Sequence, residues 1–153
     1  MSEITEIWQD IPGFEEKYQV SNMGRVRSLD RIVIVTNFMG NTFTIPKKGG
    51  MLKPQKDGMG YVHVRLVKGK KYELYKVHQL VGMVFLGYDR KNKEKLVIDH
   101  INGDKTDNRV ENLEIVTMKE NIQRFWKSEK SEITRARMRK PHKKRTLNNE
   151  NKN

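Results

Sequence analysis

Alternating apolar and polar positions predict three β-hairpins in the first half of the chain. The first runs over 18–28 and turns at 22–24, the second runs over 31–46, and the third joins 61–67 to 72–75. Alternation of this kind is typical of strands that bury one face and expose the other. The pattern therefore predicts antiparallel β-structure in this part of the chain.

The apolar positions then change to a helical period over 77–86. Apolar residues recur there at i, i+3, i+4, i+7 and i+8, namely Val77, Leu80, Val81, Val84 and Phe85. His78 lies in the first turn of this predicted helix, where we expect a structural or capping role.

Two short β-type runs follow, at 96–99 and 114–117, on either side of a polar loop. The second run leads into a predicted helix that starts near Thr117 or Met118. Thr117 and Glu120 form a capping-box pattern at its start. The whole pattern is that of an α+β chain in which antiparallel strands precede a strand–loop–strand–helix unit.

The charge of the chain narrows the class of partner. The 153 residues carry a formal net charge of +12, the pI is about 9.9, and 35% of the residues are hydrophobic. Charge of this sign and size favours an acidic polymer such as nucleic acid. Anionic lipid is the alternative, but there is no long apolar run and the basic tail has no strong apolar face, so we expect no membrane association.

Cysteine is absent, which excludes a disulfide partner and cysteine-ligated zinc. Residues 1–10 are acidic and have no apolar stretch typical of a signal peptide. A cytoplasmic location is the simplest expectation.

The last part of the chain is basic and has no acidic residue over 133–145. Its cationic residues are Arg135, Arg137, Arg139, Lys140, Lys143, Lys144 and Arg145. Because like charges repel, we expect a partial helix as far as Lys140 or disorder until DNA neutralises this segment. Residues 146–153 are expected to be disordered.

An Asp-His pair and two asparagines carry the chemical signal. Asp99 and His100 end the first β-type run, Asn112 follows in the loop, and Asn121 lies on the first turn of the next helix. Carboxylate and amide oxygens suit Mg²⁺ or Mn²⁺. An imidazole with a pKa of about 6.5 can take a proton from water near neutral pH. The arrangement therefore suits metal-assisted hydrolysis of a phosphodiester.

A structural interpretation stands beside the chemical one. An Asp-His pair before Asn-Gly is often a strand that leaves for a turn. We expect Asn108 to cap or turn the chain into 109–113, and Asp104 and Asp107 to be solvated loop carboxylates.

The combined spacing favours function, because it resembles the HNH nuclease motif. Asn112 is twelve residues after His100, and Asn121 is nine residues further on. The string DHINGDKTDNRVENLEIVTMKENI resembles that of phage intron-encoded HNH homing endonucleases. The resemblance implies a ββα-metal finger in which His100 is the base that activates water, while Asp99 and Asn121 bind one divalent metal. It also implies that Asn112 hydrogen-bonds across the loop and fixes the base.

Residues 7–29 resemble the short N-terminal module of these nucleases, with the frame W-x-x-I-x-G-[FY]-x-x-x-Y-x-V-S-N-x-G-x-V-x-S. The resemblance implies DNA contact, for which Arg25 and Arg27 are candidates; the alternative is that both are exposed strand-edge charges. The aromatic residues of the module are expected to lie in the core, namely Trp8, Phe14 and Tyr18. Cations of the third hairpin could also lie along a DNA backbone, namely Arg65, Lys70 and Lys71.

Together these observations predict an α+β DNA endonuclease with three parts. They are an antiparallel β-hairpin region over 1–60, an HNH ββα-metal domain over 61–127, and a basic, partly helical arm over 128–153. We expect a homing-type monomer that nicks one strand of double-stranded DNA, in the bacterial host cytoplasm if it is phage-encoded. The chain is too short for the helix-turn-helix module that often follows in phage relatives, so stringent recognition of a long site is not expected.

Three alternatives remain at this point. One is a low-specificity HNH nuclease used in DNA degradation or packaging. Another is a regulator that binds DNA without cleaving it. A basic RNA-binding protein would explain the charge but not the motif.

Overall fold

The structure is a computed structural model that describes residues 5–138, apart from the side chains of 129, 130 and 137. Its strands are β1 (Trp8–Asp10), β2 (Tyr18–Ser21), β3 (Val26–Ser28), β4 (Arg31–Thr36), β5 (Thr42–Lys47), β6 (Gly50–Met51), β7 (Gln55–Lys56), β8 (Val62–Lys68), β9 (Lys71–Lys76), β10 (Leu96–His100) and β11 (Leu113–Thr117). Its helices are α1 (Val77–Phe85), a 3-10 turn at Val110–Asn112, α2 (Met118–Lys127) and α3 (Glu129–Met138).

All strand pairs are antiparallel, and the three predicted hairpins are present. The first, β2–β3, lies in a sheet of order β1-β2-β3-β6, in which Val20 is opposite Val26. The second pairs β4 with β5, and the third pairs β8 with β9 and adds β7 at the edge of β8. Since strands and helices are arranged in this way, the predicted α+β class is confirmed.

One core joins the first hairpin to the later elements. Its buried residues come from the N-terminal region, the third hairpin, α1 and the β10–β11 pair: Ile11, Phe14, Tyr18, Val20, Val26, Val64, Leu66, Tyr75, Val77, Leu80, Val81, Ile98 and Leu113. Phe14 and Tyr18 lie in this core as predicted. The prediction for Trp8 is wrong: its ring is half-buried, and the guanidinium of Arg27 lies 4.3 Å from the ring centroid.

The helix α1 packs against β2, β8, β9, β10 and β11, and so occupies the centre of this unit. Its apolar face contributes Val77, Leu80 and Val81 to the core, as the helical period predicted. Val84 and Phe85, which the same period named, are half-buried and pack against the core. Gly82 allows close approach of α1 to β10, because a Cβ at this position would collide with Cδ1 of Ile98.

The β4–β5 hairpin forms a two-stranded sheet of its own. Its apolar residues are largely exposed, with Phe38 at the tip 98% exposed and Ile34 75% exposed. The alternation in this segment therefore predicts the strands correctly, but it does not predict which residues are buried.

The chain divides into two compact units, one that ends at Met118 and one that begins at Lys119. In the second unit, the end of α2 is tied to α3. Ser131 Oγ donates hydrogen bonds to the Trp126 and Ser128 carbonyls, and the Arg135 guanidinium donates to the Trp126 carbonyl. Within 5–138, no helix is both long and apolar enough to cross a membrane.

Candidate active site

The strands β10 and β11 provide the frame of the site. They pair in antiparallel register, with Asp99 opposite Glu114 and His100 opposite Leu113. Because successive side chains of a strand alternate between its faces, Asp99 is half-exposed whereas His100 is 5% exposed. Asp99 Oδ1 also accepts a hydrogen bond from the His100 backbone N–H at 2.9 Å.

Asn112 holds the polar loop between these strands. Its Oδ1 accepts a hydrogen bond from the Asn102 N–H at 3.0 Å, and its Nδ2 donates to Asn102 Oδ1 at 3.0 Å and to the Asp107 carbonyl at 2.8 Å. The backbone carbonyl of Asn112 accepts from the Ile101 N–H at 2.9 Å. The hydrogen bonding across the loop that the resemblance implied is thus present, but Asn112 does not touch the ring of the histidine through these bonds.

Asn108 makes the contact with that ring. Its Oδ1 lies 3.1 Å from His100 Nε2, and its Nδ2 donates to the Thr106 carbonyl at 3.1 Å. A carbonyl can only accept, so the NH₂ group must face Thr106 and the amide oxygen must face His100. Nε2 therefore carries the proton of this bond, and in the neutral ring Nδ1 bears the lone pair.

The contact of Asn108 with the His100 ring was not predicted from the sequence. The capping role expected for Asn108 is wrong, because Arg109 is at the capping position of the 3-10 turn and no side chain caps it. Asn108 is 5% exposed, and its amide contacts the His100 ring. Nothing in the local spacing indicates this contact, because the seven residues between His100 and Asn108 form an irregular loop. The signal available was chemical: the loop contains an amide that can bond a ring nitrogen.

The turn of the first hairpin packs directly against Asn108. Gly24 has φ +75°, and a Cβ there would lie 2.8 Å from Cβ and from the backbone oxygen of Asn108. Beside it, the Val110 N–H donates to the Asn22 carbonyl at 2.8 Å. The N-terminal region therefore supports the residue that holds the His100 ring.

His78 and Tyr61 enclose the ring from the other elements. The centroid of His100 lies 5.0 Å from that of His78 and 6.2 Å from that of Tyr61. Burial, and then the nearby His100, lower the pKa of His78 to about 3, so this side chain is neutral. Its Nδ1 is buried and has no hydrogen-bond partner among the described residues, and no side chain caps α1, so the capping role expected for His78 is wrong.

Both carboxylates expected to be solvated make hydrogen bonds in or beside the loop; Asp104 is exposed, as expected, whereas Asp107 is half-buried. Asp104 Oδ1 accepts hydrogen bonds from the N–H and the hydroxyl of Thr106. Asp107 pairs with Arg109 at 2.8 Å, and this guanidinium lowers the pKa of Asp107 to about 2.

The second expected metal ligand, Asn121, lies on α2 and is half-buried. Within the described part of the chain, no group of three or more His, Cys, Asp or Glu side chains is arranged to hold a metal. The metal-ligand roles expected of Asp99 and Asn121 stay predictions.

The predicted DNA-contact residues are spread over both units. Arg25 pairs with Glu6, whereas Arg27 donates hydrogen bonds to Gln19 Oε1 at 2.9 and 2.6 Å. The cations of the third hairpin are exposed, namely Arg65, Lys70 and Lys71. Arg135 is exposed on α3, and the guanidinium lies 5.5 Å from the Trp126 ring centroid.

The remaining cations predicted to contact DNA are Arg137, Arg139, Lys140, Lys143, Lys144 and Arg145. Only the backbone of Arg137 is described, within α3, and the other five lie outside the described residues, as does the segment 146–153.

Two family models match the chain. Residues 6–67 match the NUMOD4 motif, and residues 75–123 match an HNH endonuclease. The first match contains the Asn22 and Gly24 turn, and the second contains the Asp-His pair, the loop and the start of α2.

Curated relatives and a solved structure agree with these matches. The chain is 41% identical over 130 residues to an uncharacterized HNH endonuclease of Acanthamoeba polyphaga mimivirus, covering 80% of this chain and 27% of the relative. It is 38% identical over 117 residues to DNA endonuclease I-HmuI of Bacillus phage SP01, covering 76% of this chain and 55% of the relative. The chain thus spans about a quarter of the first relative and about half of the second.

The fold is also similar to a solved structure of the HNH homing endonuclease I-HmuI that concerns DNA binding and cleavage. The TM-score is 0.59 at 32% identity, and the match covers 86% of this chain and 66% of that chain. The chain therefore contains a NUMOD4 motif followed by an HNH endonuclease domain, and its sequence and fold are similar to those of a phage HNH homing endonuclease.

Proposed function

We propose that this protein is a DNA endonuclease that hydrolyses one phosphodiester of duplex DNA, with His100 as the general base. The observation that carries the proposal is the hydrogen bond between Asn108 and His100, because it assigns the proton of the neutral ring to Nε2 and leaves Nδ1 basic. A buried ring beside a half-exposed carboxylate, at the end of a strand in an HNH domain, supports the same role.

In the proposed reaction, His100 Nδ1 takes a proton from a water molecule as that water attacks the phosphorus atom. Nδ1 makes no hydrogen bond among the described residues, and it is not among their fully buried unpaired atoms. Asn108 can keep its bond to Nε2–H throughout, because Nε2 is protonated in both the neutral and the charged ring. As the bond from water to phosphorus forms, the P–O3′ bond breaks, and the leaving 3′ oxygen takes a proton from solvent water, which would give 5′-phosphate and 3′-hydroxyl ends.

HNH endonucleases generally use a divalent metal. We infer that Asp99 and Asn121 hold a single Mg²⁺ or Mn²⁺, because their oxygens have the hardness these ions prefer. When bound, the ion supplies positive charge that offsets the charge developing on the phosphate and the leaving oxygen.

One HNH motif per chain supports cleavage of one strand by a monomer. The similarity to a homing endonuclease favours a defined target over general DNA degradation. The cations of the hairpins and of the basic arm are proposed to contact the DNA backbone, which would position the duplex without reading its sequence.

The test is cleavage of supercoiled plasmid with Mg²⁺, Mn²⁺ or EDTA. We expect metal-dependent conversion to open circles, and a fall of about 10²–10⁴-fold for His100→Ala with little change in DNA affinity. His63→Ala is the matched control, because His63 is half-exposed on β8 and is not among the described contacts of the His100 ring. Equal activity of His100→Ala and wild type would eliminate the assignment of the base.

A further inference from the structure

The N-terminus of α1 lacks the polar cap and the acidic residue that usually offset the partial positive charge of a helix start. A helix N-terminus carries a partial positive charge and is normally capped by Ser, Thr, Asp or Asn. Here the capping position is Lys76, no side chain caps the helix, and the first turn has no acidic residue. A cation therefore stands at the positive end of the helix dipole.

A second cation lies at the same place. The Nζ atoms of Lys76 and Lys105 lie 4.1 and 4.3 Å from the ring centroid of Tyr61. Lys105 comes from the polar loop of the HNH domain, and its Nζ also donates to the Met59 carbonyl at 3.0 Å. Its Cδ would be 4.0 Å from a Cβ built on Gly60, so its stem passes over this glycine.

The ring of Tyr61 thus gathers two ammonium groups that would repel each other. The attraction of each cation to the face of the aromatic ring offsets part of this repulsion. Asp57 interacts electrostatically with Lys76, and its Oδ1 accepts hydrogen bonds from the Met59 and Tyr61 N–H groups, both at 2.9 Å. Its single negative charge can balance only one of the two lysines.

Tyr61, which holds this pair of lysines, is a neighbour of the proposed base. Tyr61 lies 5.2 Å from the ring of His78 and 6.2 Å from that of His100, centroid to centroid. His78 is 4% exposed, and its Nδ1 is buried without a partner within the described residues, so the wall between the helix start and His100 is polar yet incompletely bonded. Two cations, a helix N-terminus and an unpaired ring nitrogen are therefore collected beside one histidine.

We propose that Lys76 and Lys105, held against Tyr61, bind backbone phosphate of the DNA strand next to the phosphodiester that is cut. Phosphate oxygens accept hydrogen bonds from lysine, which binds phosphate as a point charge, and phosphate is also favoured at helix N-termini. Such a contact is independent of base sequence and fixes the register of the strand over the active site. The proposal rests on the function proposed above and adds the group that aligns the substrate with His100.

The first test measures binding without cleavage. The affinity for a short DNA duplex is measured in EDTA over a series of salt concentrations, for wild type, Lys76→Gln, Lys105→Gln and the double variant. Each lost phosphate contact should lower the log–log salt slope by up to about 0.9. Lys93→Gln is the control, because Lys93 is exposed on the connector before β10 and its substitution removes the same charge.

Tyr61 is tested by two substitutions. Tyr61→Phe keeps the aromatic face and should keep the wild-type slope, whereas Tyr61→Leu should lower it as the lysine variants do. A cleavage assay of the same variants at saturating DNA then tests whether these residues position the strand, because a misplaced strand should be cut at least about 10-fold more slowly.

The outcomes separate this proposal from the proposed function. If Lys76→Gln and Lys105→Gln both have the same salt slope as Lys93→Gln, the phosphate site is refuted, even if wild type cuts DNA. Lower slopes with unchanged cleavage at saturation would overturn its placement beside His100. If wild type binds DNA but cuts none with either metal, the endonuclease proposal fails, while the slopes still decide whether these lysines bind phosphate.

Discussion

Replacing Asn108 with alanine is expected to slow cleavage while leaving DNA affinity nearly unchanged. The amide makes hydrogen bonds to His100 Nε2 and to the Thr106 carbonyl, both at 3.1 Å, and is 5% exposed. Without it the ring can turn or carry its proton on Nδ1, the nitrogen that is required as base. Removing a hydrogen bond that orients a functional histidine typically costs about 10–100-fold in activity, and we expect a fall in this range.

The same change should lower stability. Alanine leaves the Nε2–H and the Thr106 carbonyl without their partner, and an unsatisfied buried polar group costs about 1–3 kcal/mol. The nicking rate must therefore be compared at equal folded fraction, which urea unfolding of each variant supplies. Asn108→Asp retains an acceptor for Nε2–H, and we expect it to recover most of the lost rate.

Asn92→Ala is the matched control for this experiment. Asn92 Oδ1 accepts from the Leu96 N–H at 2.6 Å and its Nδ2 donates to the Asp89 carbonyl at 2.7 Å, so it supports the other end of β10 with a similar pair of bonds. The control should lose stability without losing the rate per folded molecule. Equal rates for Asn108→Ala and Asn92→Ala, corrected in this way, would refute the idea that Asn108 positions the base.

Two further predictions concern the neighbours of Asn108 and His100. Gly24→Ala places a Cβ 2.8 Å from the Asn108 backbone oxygen at φ +75°, so we expect about 1–3 kcal/mol lower stability in urea unfolding and slower nicking. Gly13→Ala, at φ +80° with no atom within 4 Å of the added Cβ, should lose stability alone, and equal nicking by both variants would count against the coupling. Because the folded pKa of His78 is lowered to about 3, the unfolded chain binds a proton that the folded chain does not, and stability should fall by about 1.4 kcal/mol per pH unit as pH drops from about 6.5. Of the charged and titratable neighbours, His100 and Lys76 oppose protonation of His78, whereas Asp57 favours it. Urea unfolding from neutral to acidic pH should show a weaker pH dependence of stability in His78→Leu than in wild type, and identical profiles would contradict the prediction.

Burial could be predicted from the sequence only where the strand or helix has a partner. Val77, Leu80 and Val81 of α1 and the apolar positions of β2 lie in the core, as their periods predict. Ile32 and Ile34 belong to an equally regular pattern and are exposed, because no element covers the β4–β5 hairpin among the described residues. The prediction that Trp8 lies in the core was wrong for a related reason. Trp8 is on β1, an edge strand, and the guanidinium of Arg27 lies over its ring.

The sequence by itself determined the parts of this protein that depend on neighbours in the chain. Hairpin turns, the helical period of α1 and the offsets that link His100 to Asn112 and Asn121 are local properties, so they could be recognised before the fold was known. Only the tertiary structure decided which polar groups meet. Asn108 reaches the His100 ring because the loop folds back over the strand, and Gly24 supports it from a distant hairpin. Contacts between residues far apart in sequence depend on packing, which no local pattern records.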